Sequence, residues 1–108
     1  MKAFPENFAI IDTETTGMRP GFARVMDIGI IRVEKGKVVE KFQTLVNPGY
    51  SVPGFISEFT GIRDEHLQDA PQFDEVALEV ERLLKDAVFV AHNAAFDYGF
   101  IKAEFARL

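Results

Sequence analysis

NFAIID at residues 7–12 is a short apolar run ending on an acid, the pattern of a fully buried strand. TETTGMRPG, residues 13–21, follows with the glycine, proline and hydroxyl density of a loop. VMDIGIIRV at 25–33 is rich in branched apolar residues, and EKGK offers a turn before VVEKFQTLV at 38–46. There Val39, Lys41, Gln43 and Leu45 alternate with Val38, Glu40, Phe42, Thr44 and Val46, as in an antiparallel hairpin with one wetter face. NPGYSVPGF, 47–55, is a turn-rich connection, and ISEFTGIRDEHLQDAP, 56–71, is expected to hold short helical turns capped by Asp64 or Thr60. The period then changes. Phe73, Val76, Ala77, Val80, Leu83 and Leu84 recur at helical spacing, with Pro71 suited to the first turn. DAVFVAHN contains a second buried strand at 87–91, and residues 94–108 read as a helix with Phe96, Phe100, Ala103 and Leu108 near one face. Strand, hairpin, helix, strand and helix describe an α/β unit whose helices cover a mixed sheet. The last helix runs to the final residue without a glycine stop or polar tail, so the expectation is a polypeptide cut short of the complete domain.

With 108 residues there is chain for one domain, and an apolar fraction of 47% with eleven phenylalanines is ample for its core. The absence of cysteine removes disulfides, a thiolate nucleophile and thiolate-bound zinc. No run approaches the roughly 18 apolar residues of a membrane span, and MKAFPENFAIID lacks a separate signal-peptide segment. A cytoplasmic protein with no membrane association is expected. The formal charge of -5 argues against gripping nucleic acid by a broad basic face. It is compatible with an acidic pocket holding cations that meet a phosphate.

Where the acids sit therefore matters more than their number. Asp12 and Glu14 face one side of the first strand if it stays extended through Glu14, while Thr13 points away. Asp97 lies in the first turn of the last helix, where the positive helix end favours a carboxylate. If the strands at 7–12 and 87–91 run parallel and adjacent, their carboxyl ends open on one sheet edge and the three acids converge. Such a pocket suits Mg²⁺ or Mn²⁺, and two such ions about 4 Å apart serve phosphodiester hydrolysis. The competing reading is ordinary surface charge: Asp-x-Glu is common in acidic chains, and an acid at a helix start is a favourable terminal charge. Asp27 borders the pocket or caps an edge. His92 and Asn93 suit a hydrogen-bonding role near the site, and His66 a surface place. Phe96 suits the core, seating Asp97, while Phe55 and Phe59 are candidates for stacking on nucleic acid. Arg19, Arg24 and Arg63 are candidates for phosphate or are simply solvated.

Two longer blocks narrow these alternatives. FAIIDTETTG, 8–17, and VFVAHNAAFDYGFI, 88–101, with RVMDIGII and FTGIRDEHLQDAPQFDEV in order between them, resemble the DEDD family of 3'-5' exonucleases, particularly the proofreading-subunit type of bacterial DNA polymerase III. The resemblance implies a ribonuclease H-like sheet and two-metal hydrolysis that releases nucleoside 5'-monophosphates from a single-stranded DNA 3' end. It gives Asp12 both metals, Glu14 the more tightly bound one and Asp97 the second, as catalytic and metal-binding residues. Thr15, Thr16 and Met18 become neighbours of the terminal nucleotide, with His92 and Asn93 beside it. The family's third block, with His or Tyr four places before a further Asp, has no counterpart at that spacing. Residues 1–108 are thus expected to be the N-terminal part of one exonuclease domain, incomplete at its C-terminus, weak or inactive alone and inclined to self-associate. A polymerase or helicase partner fits this reading. A noncatalytic nucleic-acid-binding or assembly module on the same fold is the alternative, as is an RNA exonuclease, because no residue is a dedicated reader of a 2'-hydroxyl.

Overall fold

The computed structural model describes residues 5–108. Four strands, β1 (Asn7–Thr15), β2 (Val25–Glu34), β3 (Lys37–Leu45) and β4 (Val88–Val90), form one sheet in the order β3-β2-β1-β4. The first three pair antiparallel, and β4 lies parallel to β1 with Phe8 opposite Val88 and Ile10 opposite Val90. Lys35 and Gly36 turn the β2–β3 hairpin with φ of 52° and 79°, the left-handed pair that matches strand twist. Four helices follow: α1 (Gly54–Thr60), α2 (Asp64–Leu67), α3 (Phe73–Leu84) and α4 (Ala94–Ala106). The mixed sheet flanked by helices is the α/β architecture that the sequence resemblance implies.

Burial alternates along β1. Ala9, Ile11, Thr13 and Thr15 are buried, while Ile10 and Asp12 are exposed and Glu14 is half-buried. The strand thus runs on to Thr15, beyond the expected loop start at 13, because two β-branched threonines continue the buried face. Ala9, Ile11, Val25, Ile28 and Ile30 pack with Phe73, Ala77, Val80 and Leu83 of α3 and with Phe100 and Ile101 of α4. Met26, Val52, Ile56 and Leu67 form a smaller cluster with the short helices. On the opposite sheet face Ile10, Val88 and Val90 remain 41%, 42% and 37% exposed.

Local expectations changed where a nearer partner competed. α3 starts at Phe73, past Pro71, because the Gln72 N–H donates to Glu75 Oε2 at 2.8 Å in a capping box. Asp64 does not cap α2. It accepts the Val52 N–H at 2.8 Å, and the cap is Arg63, whose N–H reaches His66 Nδ1 at 3.0 Å. Thr60 does not cap either, since its hydroxyl donates back to the Ile56 carbonyl at 2.8 Å. On α4 the buried positions are Asp97, Phe100, Ile101 and Glu104, whereas Leu108 is exposed. Two carboxylates therefore lie on the face that apolar spacing assigned to Ala103 and Leu108. Glu104 can be buried because Arg24 and the Val25 N–H meet it.

Candidate active site

The uncovered sheet face carries a cleft of about 430 Å³ lined by Asp12, Glu14, Asp27, Gly29, Lys41 and Gln43, among others. Its acids are set by strand register. Glu14 stands opposite Asp27, and Asp12 stands opposite Gly29, whose missing side chain leaves the floor open. A register shift between Glu14 and Thr15 ends this regular pairing. Gln43 Nε2 donates to Asp27 Oδ1 at 3.4 Å. Partial burial, followed by the charges of Asp12, Asp27 and Asp97, raises the Glu14 pKa. Burial, with a contribution from Asp12, also raises that of Asp27. Negative charge is thus concentrated where a hard cation would relieve it.

Asp97 is held differently. It sits in the first turn of α4, buried, and its Oδ1 accepts the Thr13 hydroxyl at 2.5 Å. Thr13 points to the helix-covered side, so β1 places Asp12 and Glu14 on one face and the Asp97 partner on the other, near enough for Asp97 to influence Glu14. Among the described residues no three of Asp, Glu and His lie close enough to hold a metal ion. The donor chemistry suits Mg²⁺ or Mn²⁺, but the acids as placed supply only part of a coordination shell.

The loop after Glu14 is closely tied. Thr15 Oγ1 donates to the Gly17 carbonyl at 2.6 Å, and the Thr16 hydroxyl accepts the Arg24 N–H at 3.0 Å and bonds the Tyr50 hydroxyl at 2.7 Å. Met18 projects outward. His92 and Asn93 are exposed at the β4–α4 junction, and Asn93 caps α4 without a side-chain hydrogen bond. His66 is exposed on α2. Phe96 packs on Phe100 with ring centroids 4.8 Å apart, next to Asp97 as expected. Asp27 borders the cleft, one of the two places sequence reasoning gave it without counting it among the ligands, whereas Thr13 and Tyr50 were not anticipated as partners. The available signal for Asp27 was strand pairing, since any antiparallel register placing Gly29 against Asp12 brings it to Glu14.

The sequence profile of the family described as Exonuclease matches residues 9–108. The chain belongs to that family. Within it, this chain is a DEDD-type 3'-5' exonuclease domain related to the proofreading exonucleases. It is 40% identical over 100 residues to the 3'-5' exonuclease DinG of Staphylococcus epidermidis, a match covering 93% of this chain and 11% of that one. It is 37% identical over 102 residues to DNA polymerase III PolC-type of Bacillus cereus, covering 94% of this chain and 7% of that protein. The chain therefore spans a small fraction of these relatives' length. Apo exonuclease I superposes with a TM-score of 0.84 at 20% identity, over 96% of this chain and 25% of that chain. Escherichia coli exonuclease I in complex with a dA16 oligonucleotide superposes with a TM-score of 0.83 at 21% identity, over 94% and 24% of the two chains. Among the described residues no helix is long and apolar enough to cross a membrane.

Proposed function

We propose that this chain contributes the Asp12, Glu14 and Asp97 part of a metal-dependent exonuclease centre acting on the 3' end of single-stranded DNA, in proofreading or repair in the cytoplasm. The observation carrying this reading is the Asp12–Glu14 pair on an open sheet face, opposite Asp27 and beside the start of the helix that bears Asp97. Asp12 and Glu14 would hold Mg²⁺ or Mn²⁺, with Asp97 at the second of two ions. When bound, the ions supply charge neutralisation at the phosphate and favour an ionised nucleophile. In the reaction, water oxygen bonds to the terminal phosphorus, the P–O3' bond breaks, and the proton reaches the leaving 3'-oxygen or solvent. The freed unit is a nucleoside 5'-monophosphate. Thr15, Thr16 and Met18 lie along the loop that meets that nucleotide, with His92 and Asn93 on the neighbouring junction. The names of the relatives, an exonuclease and a DNA polymerase, and the oligonucleotide complex of exonuclease I support DNA as substrate.

These residues form the first part of the exonuclease domain in this proposal, and a further acid from outside them completes the centre. The exposed apolar side chains Ile10, Val88 and Val90 then favour self-association of the 108-residue chain. A polymerase or helicase is the natural partner of the parent protein. The turning of Asp97 toward Thr13 favours, as a second reading, a noncatalytic nucleic-acid-binding module on the same fold. The deciding experiment follows monophosphate release from 3'-labelled single-stranded DNA and RNA in Mn²⁺, comparing this chain, a chain extended through its natural following residues, and Asp12→Ala in each. Release from DNA that the substitution abolishes supports the proposal. A folded extended chain that releases nothing supports the binding module, and preferential release from RNA moves the substrate assignment.

A further inference from the structure

We propose that Thr13 is a positioning residue for the second ion: its hydroxyl tethers one oxygen of the Asp97 carboxylate to β1 and leaves the other to meet a cation. The inference rests on the exonuclease reading of Asp12, Glu14 and Asp97, and gives a task to a residue which that reading does not use.

Thr13 stands between Asp12 and Glu14 but faces the helices, 9% exposed. Ala9 and Ile11, its predecessors on that face of β1, are apolar, so packing alone does not call for a hydroxyl there. A buried hydroxyl costs free energy unless it is bonded. This one donates to Asp97 Oδ1 at 2.5 Å, the short end of the range of about 2.5–2.7 Å for a hydroxyl on a carboxylate. Asp97 is itself 7% exposed, on the buried face of α4 with Phe100 and Ile101, whose side chains offer no donor.

Both ends of the bond are fixed by their elements. Thr13 is held in the β1–β2 ladder opposite Ile28, and its β-branched side chain has few rotamers, so the strand aims the hydroxyl. The Asp97 N–H donates to the Asn93 carbonyl at 3.2 Å in the first turn of α4. Among the described residues no three of Asp, Glu and His approach closely enough to hold a metal ion. The bond through Thr13 is therefore the direct link from Asp97 to the strand that carries Asp12 and Glu14. A partner that hydrogen-bonds a ligating carboxylate fixes its orientation, and losing such a partner typically costs about 10–100-fold in metal affinity.

The test is titration of the chain with Mn²⁺, followed by the electron paramagnetic resonance signal of the free ion well below the unfolding temperature. The variants are Thr13→Val, Thr13→Ser, Asp97→Asn and Asp12→Ala, with Thr13→Val also made in the Asp97→Asn chain. The part of the binding that Asp97→Asn removes is the readout. Thr13→Val should weaken it about tenfold, Thr13→Ser should keep it, and Thr13→Val should add nothing in the Asp97→Asn chain. A role in packing alone predicts the reverse order, since valine keeps the branched shape and serine loses it. If Thr13→Val does not fold, Thr13→Cys, a weak donor of similar size, is read in its place. Mn²⁺ binding that Asp97→Asn weakens and Thr13→Val does not overturns the tether and leaves the exonuclease reading standing. Binding that Asp12→Ala weakens and Asp97→Asn does not overturns the tether and the place of Asp97 at the second ion. No binding, or binding that Asp12→Ala leaves unchanged, overturns the metal reading and the tether together.

Discussion

Glu104→Ala removes the anchor between the end of α4 and the β1–β2 loop. The Glu104 side chain is fully buried and accepts from Arg24 Nη2 at 2.7 Å, from Arg24 Nε at 3.0 and 3.1 Å, and from the buried Val25 N–H at 2.9 Å. Breaking a fully buried ion pair from one side costs about 3–5 kcal/mol. Arg24 is 30% exposed and recovers part of its hydration, which lowers that figure. Against this, the Val25 N–H loses its acceptor, about 1–3 kcal/mol when buried. The expected loss is roughly 3 kcal/mol, a large share of the ~5–15 kcal/mol typical of a domain. At about 4–8 °C per kcal/mol it lowers Tm by roughly 12–24 °C. Urea unfolding followed by far-ultraviolet circular dichroism measures the loss. Glu104→Gln separates charge from volume, and should lose less because the amide oxygen still accepts one N–H. Arg24→Ala added to Glu104→Ala should cost little more, since the shared interaction is already gone. A loss under about 0.5 kcal/mol for Glu104→Ala would place it among ordinary surface changes and refute the anchoring argument.

Asp27→Asn should stabilise the metal-free chain at neutral pH. The folded pKa of Asp27 is raised above its ordinary 3.8, so the fold binds this proton more tightly than the unfolded chain does. Stability is therefore lost as pH rises from the ordinary value through the folded one. The urea midpoint of Asp27→Asn should exceed that of the unsubstituted chain at neutral pH and converge with it in acid; a lower midpoint at neutral pH contradicts this. Thr13→Val leaves the buried Asp97 carboxylate without its hydroxyl donor and should cost roughly 1.5–3 kcal/mol, with Thr13→Ser close to the unsubstituted chain; equal denaturation curves for all three would deny the clasp. Gly61→Ala forces a side chain to φ of 79° at the end of α1, and its denaturation curve should show a loss of roughly 1 kcal/mol.

Strand order and helix order were legible because apolar periodicity reports burial, and burial alternates cleanly along β1 and recurs at helical spacing in α3. The acids were legible for a related reason, since period two puts Asp12 and Glu14 on one face once the strand persists. What remained hidden depended on partners far away in sequence. Glu104 looks like a solvated helical acid until Arg24 is brought to it across 80 positions. Thr13, read as pointing away from the chemistry, does so and thereby meets Asp97 across 84 positions. Asp64 had the composition of a cap but found the Val52 N–H instead. Local propensity lists the bonds a side chain can make, and tertiary contact selects among them.

The most direct test of the central claim is Mn²⁺ titration of the ¹⁵N-labelled chain, following paramagnetic loss of amide signals. Saturable loss confined to the surroundings of Asp12, Glu14 and Asp27 and extending to Asp97, abolished in Asp12→Asn, is the predicted result. Loss spread evenly over the acidic surface, or loss at this cleft that survives Asp12→Asn, would contradict the assignment of the pair as metal ligands.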